Sequence, residues 1–122
     1  MAGAVNIASC FERFADTYSP KIVGALNGQH VKVVRCEGDK VPWHTHDLED
    51  EMFLVIEGTL NILMKDASVP VNPGEFYIVG RGTEHRVVPQ GHVKLMLFEP
   101  VNIEHTGKVR SEITKESFDR LE

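Results

Sequence analysis

Short apolar runs separated by turn residues recur along the chain, and this pattern predicts an all-β fold. The runs are rich in β-branched and aromatic residues, which favour strands. Strands are predicted at 21–26, 30–36, 41–46, 51–57, 59–65, 67–71, 75–79, 85–88 and 92–98. Turns are predicted at 27–28, 37–39, 57–58, 72–74 and 90–91, of which Asn27-Gly28 is the strongest hairpin signal. Helix is expected only near the ends, at 9–15 and after Thr114, where Phe118 and Leu121 share a face.

The segment that follows Glu51 is apolar on both faces of its predicted strand. Because side chains alternate along a strand, Phe53 and Val55 share the face of Glu51 and are expected to point inward. The residues between them are equally apolar and point outward. Such a strand is typical of a barrel wall that a second sheet or subunit covers. Together with the aromatic residues of the terminal segments, this pattern predicts a homodimer.

The candidate chemistry is concentrated in His44, His46, Glu51 and His85. A His-x-His pair in extended conformation directs both imidazoles to one side, with Thr45 on the other. Three imidazole nitrogens and one carboxylate suit one divalent transition metal, such as Fe, Mn, Ni, Cu, Co or Zn, and do not suit the all-oxygen shells of calcium or magnesium. The other acidic residues of this segment, Asp47, Glu49 and Asp50, are predicted to form a solvated loop.

The spacing of these residues resembles the first sequence block of the cupin superfamily. Five residues separate Gly38 from His44, four separate His46 from Glu51, and six separate Glu51 from Gly58, which matches every fixed position of that block.

A second block, from Gly74 to His85, also resembles the cupin pattern. It departs from that pattern at Gly80, where proline is common, and at Pro89, where asparagine is common. These departures concern turn geometry and leave the histidine in place. The resemblance covers approximately residues 31–98 and is closest to small single-domain bacterial cupins of the cupin 2 type, some of which are labelled mannose-6-phosphate isomerase-like.

The cupin resemblance implies a double-stranded β-helix, or jelly-roll, barrel that forms a single domain over residues 1–122. It implies a metal held inside by His44, His46, Glu51 and His85, and a dimeric assembly. The superfamily includes dioxygenases, isomerases, epimerases, decarboxylases, storage proteins and sugar-sensing domains, so the fold does not define the reaction. We carry two hypotheses: a metalloenzyme of the dioxygenase or isomerase type acting on a small oxygenated organic molecule, and a non-catalytic cupin that binds or senses a small ligand.

Composition and charge narrow the partners and the location. The 122 residues carry a net charge of −5, which argues against a nucleic-acid or anionic-membrane partner. The apolar start that ends in Cys10 superficially resembles a lipoprotein cleavage site, but a basic leader and a full apolar region are missing. Cys10 and Cys36 are expected to be free buried thiols of a cytoplasmic protein.

Further side chains are candidates for the wall of a substrate pocket. Phe53 and Val55 are expected there by alternation, and the other candidates are Tyr77, Met96 and Phe98. Arg81 and Arg86 flank the third histidine and are expected mainly at the surface, with a role in binding an anionic substrate as the alternative. Trp43 is expected to face away from the metal. The remaining histidines, His30, His92 and His105, are expected to be exposed.

Overall fold

The computed structural model describes residues 3–101 and 118–122, and its regular structure is almost entirely β. The elements are α1 (Ile7–Glu12), β1 (Lys21–Leu26), β2 (Gln29–Cys36), β3 (Glu51–Met64), β4 (Ala67–Val71), β5 (Phe76–Val79), β6 (Arg86–Pro100) and β7 (Asp119–Arg120). They form one sheet in the order β4-β3-β6-β2-β1-β7, with β5 paired to the first part of β3. The predicted all-β fold is confirmed. No helix in the described ranges is long and apolar enough to cross a membrane.

The β1–β2 hairpin forms where the sequence predicts it. Leu26 pairs with Gln29 across a two-residue loop, and Asn27 and Gly28 have φ angles of 50° and 74°. Two successive residues with positive φ define the type I′ turn that Asn-Gly favours.

Two of the predicted turns lie inside long strands instead. Gly58 interrupts β3 without ending it, because β3 continues to pair with β6 on both sides of a register shift. The φ of Gly58 is 86°, so the glycine supplies a bulge that a residue with a side chain would adopt only with strain. Gln90 and Gly91 lie likewise within β6. The predicted strands 51–57 and 59–65 are therefore one strand, and so are 85–88 and 92–98.

The predicted strand 41–46 is wrong. Of this segment, only His44 forms a β-bridge, and its partner is His85. Pro42 has no amide hydrogen for a ladder, so pairing in this segment is limited to the bridge at His44, whose Nδ1 atom also lies 2.8 Å from the carbonyl oxygen of Pro42. The segment is an irregular connection between β2 and β3.

The sheet folds over a single inner core. Val55 lies before the β3 bulge and Leu60 after it, yet both are fully buried in the same cluster, together with Val34 of β2 and Leu95 of β6. Since both halves of the long strands face this cluster, the sheet curls around it. His44 and Glu51 line a cavity together with Val34 and Leu95 of this cluster.

A second, smaller cluster lies on the outer face of the sheet, under α1. It contains Cys10 and Phe11 of the helix and Val33 of β2. Asn6 caps the helix by accepting a hydrogen bond from the amide of Ser9 at 2.9 Å. The observed helix starts two residues earlier and ends three residues earlier than the predicted range 9–15.

The prediction of a helix near the end of the chain is wrong for the described residues. Asp119 and Arg120 form β7, which pairs in parallel with Lys21 and Ile22 of β1. The Nζ atom of Lys21 lies 3.0 Å from the Asp119 carboxylate, so charge pairing supports this strand. The part of the predicted helix at 114–117, like His105, lies outside the described residues.

Candidate metal centre

Backbone hydrogen bonds bring the two sequence blocks together. His44 and His85 each donate an amide hydrogen to the carbonyl of the other at 3.0 Å. The amide of Gly82 donates to the carbonyl of His46 at 2.8 Å, and Glu51 is the first residue of β3. Each of the four predicted ligand side chains belongs to a residue that is at most 5% exposed. The structure thus gathers the predicted group in the interior.

The four side chains converge on a common point. One donor atom from each lies within 4.8 Å of all the others. The Glu51 carboxylate lies 3.5 Å from Nε2 of His46 and 3.3 Å from Nε2 of His85. The ring centroid of His44 lies 4.4 Å from that of His85. Ligand atoms about 2.1 Å from one metal are about 3 Å apart along an octahedral edge, so this group has the dimensions of a slightly expanded metal site.

Backbone carbonyls orient two of the imidazoles. The Nδ1 atom of His44 lies 2.8 Å from the carbonyl oxygen of Pro42, and that of His85 lies 3.0 Å from the carbonyl oxygen of Thr83. A carbonyl only accepts, so each Nδ1 carries the hydrogen and each Nε2 presents its lone pair to the group. Burial lowers the pKa of both histidines and favours this neutral form, which is the one that coordinates metals.

The third imidazole is oriented by a carboxylate that the sequence does not identify. Nδ1 of His46 lies 2.8 Å from the Glu49 side chain, which is 16% exposed. The prediction that Glu49 belongs to a solvated loop is therefore wrong. Asp50 does fit that prediction, because its side chain is half exposed and accepts a hydrogen bond from the amide of Arg81 at 2.9 Å. The signal for Glu49 was its i, i+3 spacing from His46.

A buried charge network that the sequence alone does not reveal adjoins the site. Glu51 lies beside Glu99 of β6, and the Glu99 carboxylate lies 3.5 Å from Nζ of Lys32 of β2. Burial, reinforced by the charge of Glu49, raises the pKa of Glu51 to about 7. His30, predicted to be exposed, is only 7% exposed and pairs across the strands with Glu99.

An interior cavity of about 50 Å³ meets the site. His44 and Glu51 contribute its polar wall. The rest of its lining is mostly apolar and includes Tyr18, Pro20, Val34, Cys36, Val41, Phe53, Val87, Leu95 and Leu97. Burial raises the pKa of the Cys36 thiol to about 12 and also raises the pKa of the Tyr18 hydroxyl, so both stay protonated.

The predicted pocket residues differ in their positions. Phe53 lines the cavity, and Val55 faces the same inner core without reaching it. Tyr77 packs against the core, and its hydroxyl donates to Sδ of Met64 at 3.8 Å. None of the three lies on the outer face of the sheet.

The expectation for Met96 and Phe98 is wrong by one residue. Leu95 and Leu97 point inward, because they pair with Val55 and Phe53, whereas Met96 and Phe98 are on the opposite face. All of these side chains are apolar, so polarity could not reveal the direction of alternation in β6. The cavity wall therefore includes Leu95 and Leu97 and does not include Met96 or Phe98.

The remaining polar candidates lie outside the cavity. The Arg86 side chain donates to the carbonyl of Val41 at 3.0 Å and pairs with Asp39, while the Arg81 side chain is 64% exposed. Both arginines are therefore at the surface and hold neighbouring loops. Trp43 is 40% exposed and faces away from the site, as alternation predicted. His92 lies near Arg35 and Glu37 and does not face the cavity.

The fold and the site define a small β-barrel protein with a His₃Glu group arranged as metal ligands. The sequence matches the Cupin_2 family, described as a cupin domain, over residues 33–107. The chain belongs to this family. Its recognition from the two sequence blocks is confirmed, as is the jelly-roll fold class that the family implies.

Individual relatives support this membership. A cupin-2 domain containing protein from Shewanella frigidimarina NCIMB 400 is 34% identical and superposes with a TM-score of 0.76, over 79% of this chain and 93% of that one. Protein NMB1881 from Neisseria meningitidis shares the fold at 24% identity and a TM-score of 0.72, over 80% and 99% of the two chains. The tetracenomycin polyketide synthase protein TcmJ of Streptomyces glaucescens is 31% identical over 75 residues, which are 62% of this chain and 50% of TcmJ. The chain thus matches half the length of that curated relative.

Proposed function

We propose that the protein binds one divalent transition metal through His44, His46, Glu51 and His85. The observation that carries this proposal is the convergence of four buried donor atoms, with the imidazoles of His44 and His85 held in the neutral form that directs Nε2 to the common point. The donor set fits Fe, Mn, Co, Ni, Cu or Zn. Burial raises the pKa of Glu51, so its ionised form is unfavourable in the metal-free protein, and a divalent cation beside it would stabilise that form.

We further propose that the metal and the cavity act on a small oxygenated organic molecule, in a reaction of the dioxygenase or isomerase type. A metal in this position supplies Lewis acidity towards a carbonyl or enol oxygen and, if redox-active, chemistry with dioxygen. The apolar wall formed by Phe53, Leu95 and Leu97 excludes water from the bound molecule. A cavity of about 50 Å³ suits a small molecule or the reacting end of a larger one.

The second candidate is a non-catalytic cupin that captures or senses a small ligand. The protonated state of Tyr18 and Cys36 favours it, because neither cavity group is available as a general base. Oxygen uptake separates the two candidates when the Fe(II)-loaded protein is tested with a panel of small oxygenated metabolites. Uptake that depends on one metabolite supports the enzyme, and metabolite binding without uptake or product supports the sensor.

A bidentate oxygen ligand tests whether the metal is accessible from the cavity. We expect the visible spectrum of the Co(II)-loaded protein to change on addition of acetohydroxamate, because four protein ligands leave about two octahedral positions open. A spectrum that saturating acetohydroxamate does not alter would mean a closed, purely structural site, and it would contradict both functional candidates.

We also propose a homodimer and a cytoplasmic location. The outer face of β5 and its neighbours is apolar, and Phe76 and Ile78 are 59% and 52% exposed on it. A second copy of the chain would cover this face. Cys10 and Cys36 are both buried free thiols, which is the usual state in a reducing compartment.

A further inference from the structure

The inner face of the sheet carries a row of charged side chains behind the candidate metal centre. Met52 pairs with Phe98, so Glu51 and Glu99 are neighbours on the inner faces of β3 and β6. Lys32 lies on the next strand, β2, and pairs with Leu97. Lys32 is 0% exposed and Glu99 is 4% exposed. Three ionisable side chains are thus buried together at positions where a barrel of this kind needs only apolar packing.

Stability does not explain this row. Transfer of an ion pair from water into a protein interior usually costs as much as the pairing returns, and apolar residues of similar size would serve the fold at least as well. The pairing is also loose. Nζ of Lys32 lies 3.5 Å from Oε1 of Glu99 and has no hydrogen-bond partner among residues 3–101 and 118–122. The centroid of the Phe118 ring lies 3.5 Å from the same nitrogen, so the face of the ring covers it.

The row ends at a metal ligand. Glu99 is the cross-strand neighbour of Glu51 on the inner face, and the Glu51 carboxylate in turn lies 3.5 Å from Nε2 of His46 and 3.3 Å from Nε2 of His85. With a divalent metal bound and both carboxylates ionised, the Lys32 ammonium cancels one of the two carboxylate charges, so the three side chains together contribute a single net negative charge, as one carboxylate ligand would.

We propose that Glu99 and Lys32 are positioning residues for the metal ligand Glu51. Glu99 fixes the rotamer of the Glu51 carboxylate, and Lys32 holds Glu99 and balances its charge. This inference rests on the proposed metal binding. Partners of this kind behind a ligand typically change metal affinity by 10- to 100-fold when they are altered.

The test is a Co(II) titration of the wild type, Glu99→Gln, Lys32→Met and the double variant. Glu99→Gln leaves the buried ammonium unbalanced near the cation, so we expect a 10- to 100-fold weaker affinity and an altered visible spectrum. The double variant restores the net charge, so its metal affinity should return to within about threefold of the wild type. If Glu99 and Lys32 acted independently, the losses of the two single variants would add instead. Lys94→Met is the control, since Lys94 lies on the outer face and pairs with the exposed Glu57.

If Glu99→Gln does not fold, Glu99→Asp replaces it in the same titration. It retains the charge but withdraws the carboxylate from Glu51 by one methylene, so affinity should fall while far-ultraviolet circular dichroism stays unchanged. Wild-type affinity and spectrum in folded Glu99→Gln or Glu99→Asp would overturn the positioning role alone. A wild type that does not bind Co(II), or any other first-row divalent metal, would overturn the proposed function and this inference with it.

Discussion

At the residue scale, burial shifts the carboxylate and the imidazoles of the site in opposite directions. It raises the pKa of Glu51 to about 7 and lowers the pKa of His44 and His85. Between pH 4.5 and about 7, the folded protein keeps a proton on Glu51 that the unfolded chain has already lost. Stability therefore falls as the pH rises through this interval. For the histidines the unfolded chain gains protons below pH 6.5 that the folded protein does not accept, so stability falls as pH decreases.

Glu51→Gln isolates the carboxylate contribution. In the presence of a chelator, we expect the variant to gain free energy of unfolding relative to the wild type between pH 4.5 and about 7, because the amide that replaces the carboxyl group does not titrate. The gain should reach up to about 3 kcal/mol, since each pKa unit corresponds to about 1.4 kcal/mol. Urea unfolding at several pH values measures it.

Asp50→Asn is the matched control for this experiment. Asp50 is exposed, and the hydrogen bond from the Arg81 amide lowers its pKa, so its titration ends below this pH interval. Between pH 4.5 and about 7, its free energy of unfolding should run parallel to that of the wild type. Parallel curves for Glu51→Gln and the wild type would show that the carboxylate is charged in the metal-free protein.

The sequence reveals the ligand residues better than their surroundings. The two spaced blocks predict His44 and His85, because motif spacing does not depend on strand boundaries. The sequence does not predict that Lys32 and Glu99 are buried, because a charged residue in a strand is normally assigned to the solvent face. Their inward direction follows only from the pairing of β2 and β6, which a single sequence does not define to one residue.

At the scale of elements, the bulge at Gly58 lets β3 contribute to both halves of the barrel. A glycine between two apolar runs is equally typical of a turn and of a bulge, so the sequence could not distinguish them. In the structure Gly58 forms a bulge, and β6 pairs with β3 on both sides of it. A Cβ atom on Gly58 would lie 2.6 Å from the carbonyl oxygen of His92.

Gly58→Ala should therefore destabilise the protein more than a change in φ preference explains. Gly74 is the matched control, since its φ is 82° but a Cβ atom there would meet no atom within 4 Å. We expect Gly74→Ala to cost about 1 to 2 kcal/mol, the usual penalty for a side chain at positive φ, and Gly58→Ala to cost about 1 to 3 kcal/mol more, as is usual for overpacking. Urea denaturation compares the two variants, and equal losses would show that β6 does not approach Gly58 this closely.

At the scale of the whole molecule, the two faces of the sheet are covered unequally. The inner face encloses the core, and α1 covers the outer face of β2. The outer face of β5 has no such cover in the described parts of the chain, and Phe76 and Ile78 are more than half exposed there. This face is the surface on which we propose that the second subunit packs.

Sedimentation equilibrium at micromolar concentration tests the dimer. We expect a mass near twice the 13.7 kDa of the chain, and a monomer for the double variant Phe76→Glu/Ile78→Glu, because two buried carboxylates would disrupt an apolar interface. Leu48→Glu is the control, since Leu48 is 84% exposed and lies outside this face. A wild type that sediments at 13.7 kDa would contradict the proposed assembly.

The central claim is that His44, His46, Glu51 and His85 hold one metal ion, and elemental analysis tests it most directly. The protein, purified without chelators and reconstituted with Fe, Mn, Co, Ni, Cu or Zn, should carry one equivalent per chain of at least one of these metals. The folded double variant His44→Ala/His46→Ala should carry none, because two of the four donors are missing. Stoichiometric metal in the double variant, or none in the reconstituted wild type, would contradict the assignment.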